Sequence, residues 1–119
     1  MTDRWGLYLS GAGSLDGSDV YSAVISIHAL QERGYEPVGV GRDVPQGEVM
    51  NHRFARPEGT GRNALDEAAR ILRGDVHDMR DVDRSELDGA VLVGGGGTLS
   101  TWTDYHERGG EWVPADQRR

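Results

Sequence analysis

The chain has 119 residues, no cysteine and a net charge of −7. This length predicts a single domain, and without cysteine these residues hold no disulfide, thiolate ligand or thiol nucleophile. The acidic balance argues against nucleic-acid partners and membrane surfaces, and no apolar run reaches the roughly 20 residues of a membrane helix, so we expect a cytoplasmic protein.

The first half of the chain predicts a strand, a glycine-rich turn, a helix and a second strand. Residues 5–9 are short and apolar, residues 10–17 are rich in glycine, and Ser18 is a candidate cap for the helix that follows. Gly34 is placed to end that helix, and residues 36–41 read as the next strand. Apolar residues recur at helical spacing between these limits: Val20, Ala23, Val24, Ile27 and Leu30.

The second half continues the alternation of strands and helices. Residues 42–61 are a long polar connection with a short strand at 49–50, Asn63 can cap a second helix, and residues 76–79 and 90–93 read as strands around a helical turn at 85–88. This order predicts an α/β domain over residues 1–104 with a doubly wound, mostly parallel sheet. Residues 105–119 form a polar tail that we expect to be loosely ordered.

Two glycine-rich segments follow predicted strands. Gly95 and Gly96 belong to a run of four glycines after residues 90–93, where a parallel strand leaves the sheet at the edge that usually carries sites. Gly11 opens the other segment, whose Gly-x-Gly-x-x-x-Gly spacing is one residue longer than a dinucleotide fingerprint. Both segments are candidates for close backbone approach to a small ligand.

The ionisable residues offer fewer candidates. The four histidines lack the spacing of a metal site, and we predict neither a bound metal nor a cofactor. His52, beside Asn51 in the long connection, and Asp16, in the first glycine loop, are the candidates for binding. An enzyme that uses Asp16 or His52 with the glycine loops is one alternative at this point.

Three blocks of sequence together resemble the ElbB-type glyoxalases of the ThiJ/PfpI, or class I glutamine amidotransferase-like, superfamily. They are Leu-Ser-Gly-Ala-Gly-Ser-Leu-Asp-Gly-Ser-Asp at 9–19, Val-Met-Asn-His at 49–52 with the helical block at 62–74, and Glu-Leu-Asp-Gly-Ala-Val-Leu-Val-Gly-Gly-Gly-Gly at 86–97. The resemblance runs from about residue 7 to residue 100. It implies the N-terminal portion of a flavodoxin-like domain whose sheet is incomplete on its C-terminal side.

The resemblance also implies a reaction, the conversion of glyoxal to glycolate through a cysteine nucleophile with a glutamate partner. In this chain no cysteine is present, and the family's glutamate position falls on Ser22, whose neutral hydroxyl cannot act as a carboxylate. We therefore predict no catalytic residue, and expect a truncated relative that is inactive alone. The alternative is a non-catalytic module, derived from that fold, that binds a small molecule or drives oligomerisation.

The expected ligand is a small aldehyde or another small molecule. The strand at 90–93 would lack a neighbour on one side if the sheet stops there, and an open strand edge favours pairing with another chain. We therefore expect a homo-oligomer or a complementing chain.

Overall fold

A computed structural model describes residues 3–102. It contains six strands and three helices within that range: β1 (Arg4–Tyr8), α1 (Val20–Glu32), β2 (Glu36–Gly41), β3 (Met50–Asn51), β4 (Arg56–Pro57), α2 (Ala64–Leu72), β5 (Val76–Asp78), β6 (Gly89–Leu92) and α3 (Gly96–Trp102). The predicted tail, residues 105–119, lies outside the described residues.

Four of the strands form one parallel sheet in the order β5-β2-β1-β6. Leu7 of β1 is in register with Gly39 of β2 on one side and with Val91 of β6 on the other. The α/β architecture with a mostly parallel, flavodoxin-like sheet is therefore confirmed. The carboxyl ends of β1, β2 and β6 meet at one edge, and the two glycine-rich segments begin there.

The core lies between the sheet and the two longer helices. Leu7 and Leu9 are fully buried, and they cluster with Ala23 of α1, Ala68 of α2 and Val93. Gly39 lets α2 approach the sheet, because a Cβ atom at that position would overlap the side chain of Leu72. Small residues at these contacts thus set how closely the helices pack on the sheet.

The start of α1 differs by one residue from the predicted cap. Asp19 is the N-cap residue, and its carboxylate accepts a hydrogen bond from the Ser22 N–H at 3.1 Å. Ser18 is fully buried instead, and its Oγ accepts a hydrogen bond from the Ser10 N–H at 2.9 Å. A cap oxygen normally bonds an N–H two or three residues ahead, and both residues can do this, so sequence alone does not separate them.

The long polar connection contains more structure than predicted. β3 and β4 pair in an antiparallel hairpin, with Met50 opposite Pro57 and Asn51 opposite Arg56. The helical turn predicted at residues 85–88 is a 3₁₀ turn at Arg84–Glu86, and the strand predicted at residues 76–79 ends at Asp78, where a second 3₁₀ turn, Met79–Asp81, begins. Asn63 caps α2 as predicted, since its side chain accepts a hydrogen bond from the Asp66 N–H.

Candidate functional site

The loop between β1 and α1 folds back on itself through backbone hydrogen bonds. The Gly13 N–H donates to the Ser18 carbonyl and the Gly17 N–H donates to the Gly13 carbonyl, both at 2.8 Å. Gly11 and Gly13 have φ angles of 97° and 142°, which L-residues with a side chain rarely adopt. The glycines here permit a closed loop at the carboxyl end of β1.

The glycine run after β6 packs directly against this loop. The Gly96 N–H donates to the Ser14 carbonyl and the Gly97 N–H donates to the Gly17 carbonyl, each at 3.0 Å, while Gly94 accepts from the Asp19 N–H at 2.7 Å. An added Cβ atom at Gly95 would overlap the Gly17 carbonyl, and one at Gly96 would overlap the Leu15 carbonyl. One at Gly97 would overlap the Ser10 carbonyl. These glycines allow the two backbone segments to pack in contact. The N–H groups of Gly96 and Gly97 are engaged in hydrogen bonds within the protein.

Asp16 and His52 hold the glycine loop to the β3–β4 hairpin. Asp16 is 5% exposed. Its Oδ2 accepts a hydrogen bond from the Met50 N–H at 2.8 Å, and its Oδ1 lies 3.7 Å from Nε2 of His52. Two residues that are 36 positions apart in sequence are therefore brought together, as an enzyme built on these side chains would require.

The hydrogen bonds of His52 define its tautomer. Nε2 accepts the Leu15 N–H at 3.1 Å, so the ring proton resides on Nδ1, which lies 3.2 Å from the Met50 carbonyl and donates to it. The ring also needs the glycine at position 13, because a Cβ atom there would lie 2.6 Å from its Nε2. His52 thus acts as a clasp between two loops. We call this arrangement the Asp16–His52 clasp.

The remaining predicted site residues lie around this clasp with structural contacts of their own. Asn51 closes the hairpin, since its Oδ1 accepts from the N–H groups of Arg53 and Phe54 at 3.0 and 3.2 Å. Gly11 lies against the side chain of Gln46. Ser22 is exposed in the first turn of α1, away from the hydrogen bonds of the clasp.

Ser22 is tied to the N-cap carboxylate. Its Oγ donates to Oδ2 of Asp19 at 2.7 Å. This hydrogen bond, together with the one from the Ser22 N–H, lowers the pKa of Asp19 below its ordinary value. The position that carries a glutamate in the resembling family therefore serves here as a hydrogen-bond donor to a neighbouring carboxylate.

Arg42 and Gln46 are polar residues at this edge that the sequence analysis did not identify. Arg42 follows β2 directly, and its guanidinium donates to the carbonyl of Thr101 in α3. Gln46 is 8% exposed and donates to the Glu48 carbonyl at 2.8 Å. The position of Arg42 immediately after a buried strand was the available signal, because residues there reach the carboxyl edge of a parallel sheet.

The side chains in residues 3–102 bring together no group of three or more His, Asp and Glu residues that could hold a metal ion. In the same range, no helix is long and apolar enough to cross a membrane. The polar side chains described at the carboxyl edge are thus the Asp16 carboxylate, the His52 imidazole, the Arg42 guanidinium and the Gln46 amide, beside the backbone of the glycine segments.

Comparison with known proteins identifies similar chains. The chain is 38% identical over 103 residues to the human mitochondrial protein named glutamine amidotransferase-like class 1 domain-containing protein 3, which covers 86% of this chain and 38% of the human one. It is 36% identical over 103 residues to the mitochondrial ES1 protein homolog of Rattus norvegicus, covering 86% of this chain and 39% of the rat protein. The chain therefore spans less than half the length of these relatives, and no family model matches it.

A solved structure decides the fold. The crystal structure of an isoprenoid biosynthesis protein with an amidotransferase-like domain from Ehrlichia chaffeensis superposes with a TM-score of 0.84 at 29% identity, over 87% of this chain and 48% of that one. The fold is that of a class I glutamine amidotransferase-like domain. The resemblance found in the sequence is thus supported at the level of the superfamily, and the two mammalian relatives carry mitochondrial names.

Proposed function

We propose that residues 3–102 of this amidotransferase-like chain form the non-nucleophilic side of an ElbB-type site for a small aldehyde, and that the 119 residues alone do not turn glyoxal over. The observation that carries the proposal is the meeting of the two glycine segments and the Asp16–His52 clasp at the carboxyl ends of β1 and β6. Ligand sites of open α/β sheets form at that edge.

The inactivity follows from the chemistry that the family reaction needs. A cysteine thiolate is the nucleophile in that reaction, and the 119 residues contain no cysteine. A neutral serine at position 22 cannot exchange a proton in the way a glutamate does. Asp16 does not replace that glutamate, because its carboxylate is already engaged by Met50 and faces His52.

The proposed role of these residues is to shape and orient. The closed loop after β1 and the glycines after β6 form a rigid backbone surface, since each holds the other through hydrogen bonds at 3.0 Å. The Asp16–His52 clasp then fixes the hairpin beside that surface. A small oxygen-rich ligand would meet a preorganised wall, which is the property that favours binding at low entropic cost.

Two measurements test this proposal. Incubation of the purified chain with glyoxal should yield no glycolate above the buffer background, and clear enzymatic turnover would refute the inactivity. Titration with glycolate, a stable probe that does not modify arginine, should shift the NMR signals of residues 11–17, 50–52 and 94–97. A His52→Ala variant, which removes the acceptor of the Leu15 N–H, should weaken that binding, and an absence of shifts in these segments at millimolar glycolate would refute the site.

The alternative of a non-catalytic module predicts the same binding without turnover. The two hypotheses differ in what they predict when a cysteine-bearing segment and a Ser22→Glu change are both supplied. An ElbB-type site should then gain glyoxal turnover, whereas a non-catalytic module should not. We also propose a cytoplasmic location, which cell fractionation can test.

A further inference from the structure

The outer side of β6 is an open strand edge within the described residues. β6 pairs with β1 in parallel, and no other strand between residues 3 and 102 pairs with it. Its sequence, Gly-Ala-Val-Leu, holds no charged residue and no proline, the features with which proteins usually protect an exposed edge. β6 is thus built to accept a further strand.

On the α1 side of the sheet, an apolar groove runs along this edge. The groove has a volume of about 340 Å³ and is lined by residues of β1, β6 and α1 with Tyr35: Trp5, Ser26, Ala29, Leu30, Arg33, Tyr35 and Val91. The indole N–H of Trp5 is buried there without a hydrogen-bond acceptor in the part of the chain that the structure describes. A buried donor without a partner is costly, so the packing around Trp5 leaves one polar group unsatisfied beside the groove.

The outer surface of α1 extends this apolar area. Tyr21 and Ile25 lie two turns and one turn before Ala29 on the same side of the helix, and they are 81% and 66% exposed. Exposed apolar side chains that adjoin one another mark an interaction surface more often than single scattered ones do. We call the β6 edge, the groove and this stripe of α1 the β6 surface.

The opposite side of the sheet is uncovered at the same edge. Side chains alternate along a strand, so Leu92 points away from the side that carries Val91. Leu92 is 60% exposed. Parallel sheets normally have helices on both faces, and here both faces are open beside one strand.

We propose that the β6 surface binds a second polypeptide that contributes a strand parallel to β6 and the helices that cover it. The structural relative from Ehrlichia chaffeensis has the same fold over the superposed part and about as much chain again. A second polypeptide of that kind would complete the sheet, fill the groove and cover Leu92 at the same time.

A second copy of this chain fits the surface less well. Two copies related by a two-fold axis would pair β6 with β6 in antiparallel orientation and would bring two grooves face to face. The grooves would stay unfilled, and Leu92 would stay exposed on the other face. The parallel partner strand is therefore favoured over a homodimer.

The test uses the full 119-residue chain and a defined probe. The probe is the longest segment of the human relative that lies outside the 103 matched residues, co-expressed with the tagged chain. The expected result is a 1:1 complex by analytical ultracentrifugation. Amide exchange at Ala90 and Leu92 should slow at least tenfold in the complex.

Two matched variants localise the contact. Ile25→Asp places a charge in the β6 surface and should abolish the complex, while Phe54→Asp, at a similarly exposed apolar residue on the β3–β4 hairpin, should leave it intact. Both residues are more than half exposed, so both variants should keep the wild-type circular dichroism spectrum.

Three results would overturn the proposal. They are the absence of a complex with the co-expressed probe, a complex that Ile25→Asp does not weaken, and a stable homodimer through β6 that excludes the probe. Because none of these results depends on glycolate or glyoxal, failure here is distinguishable from failure of the proposed aldehyde site.

Discussion

The two edge strands of the sheet, β5 and β6, differ in how their open edges are protected. β5 is three residues long, and the chain leaves it through Asp78, whose Oδ2 forms an ion pair at 2.7 Å with Arg80. The chain leaves β6 through four glycines, and the exposed residues of β6 are the apolar Ala90 and Leu92. Charge and a tight turn protect the first edge, whereas the second is apolar and carries no charged residue. The comparison agrees with the proposal that β6, and not β5, accepts a partner strand.

The largest effect is expected at the exit from β6. Gly96→Ala should lower the free energy of unfolding by about 2–3 kcal/mol, because the added Cβ would overlap the Leu15 carbonyl and separate the two glycine segments. Gly94→Ala is the matched control, since a Cβ atom there meets nothing within 4 Å, and it should change stability by less than about 0.5 kcal/mol. Urea denaturation measures both, and equal effects would show that the contact between the segments is not tight.

The second prediction compares the edges directly. Leu92→Lys should reduce aggregation during a thermal ramp while changing stability by less than about 0.5 kcal/mol, because the side chain is 60% exposed. His77→Lys adds the same charge to β5, an edge that already carries charge, and should change aggregation little. Static light scattering follows both variants. If His77→Lys protects as well as Leu92→Lys, the effect is one of net charge and not of the β6 edge.

The third prediction concerns the charged exit from β5. Hydrogen bonds from the Arg80 side chain and from its N–H lower the pKa of Asp78 below its ordinary value. A carboxyl group with a lowered folded-state pKa stabilises the fold above its unfolded-state pKa, and this contribution disappears as the pH falls through the folded-state value. Arg80→Ala should raise the pKa of Asp78 and lower the free energy of unfolding at neutral pH, and this cost should shrink as the pH falls through the folded-state pKa of Asp78.

Chemical denaturation at neutral and at acidic pH checks this expectation, with Arg84→Ala as a control from the next 3₁₀ turn. An equal cost of Arg80→Ala at both pH values would mean that the side chain acts through packing and not through its charge.

The fold was predictable because its strands are apolar and its helices are periodic. Leu7, Ala23 and Ala68 occupy the positions that the pattern assigned to the core, and the parallel sheet follows from the alternation of strands and helices. The β3–β4 hairpin was not predictable from the sequence, because its strands, Met50–Asn51 and Arg56–Pro57, are two residues long and lie in a polar segment. Such short strands form through contacts distant in sequence, here the Asp16–His52 clasp.

The sequence pointed to individual candidate residues but not to how the fold arranges them. Asp16 and His52 each stood out in the sequence, but only the fold brings them within 3.7 Å. The glycines at 95 and 96 were identified as a rim for a ligand, and the structure shows in addition that they let two backbones pack. A run of glycines signals close approach without specifying whether a ligand or another loop approaches.

The smallest predicted effect lies where α1 begins, beside the exit from β6. The hydroxyl of Ser22 is the main cause of the lowered pKa of Asp19, and the Ser22 N–H adds to it. Ser22→Ala removes the first hydrogen bond and keeps the second, so the pKa of Asp19 should rise only part of the way toward its ordinary value. Ser22→Thr keeps a hydroxyl and should leave the pKa low.

NMR titration of the Asp19 carboxyl carbon measures this change, and Ser26→Ala, one turn further along the helix, is the control. Because the folded-state pKa is lowered, the cap stabilises α1 above the unfolded-state pKa of Asp19 and is lost as the pH falls through the folded-state value. In Ser22→Ala that loss should begin at a higher pH. The Asp19 N–H also donates to Gly94, so the glycine exit of β6 should loosen in the same pH range as the cap. A signal from Gly94 that does not follow the Asp19 titration would separate the helix start from the β6 edge.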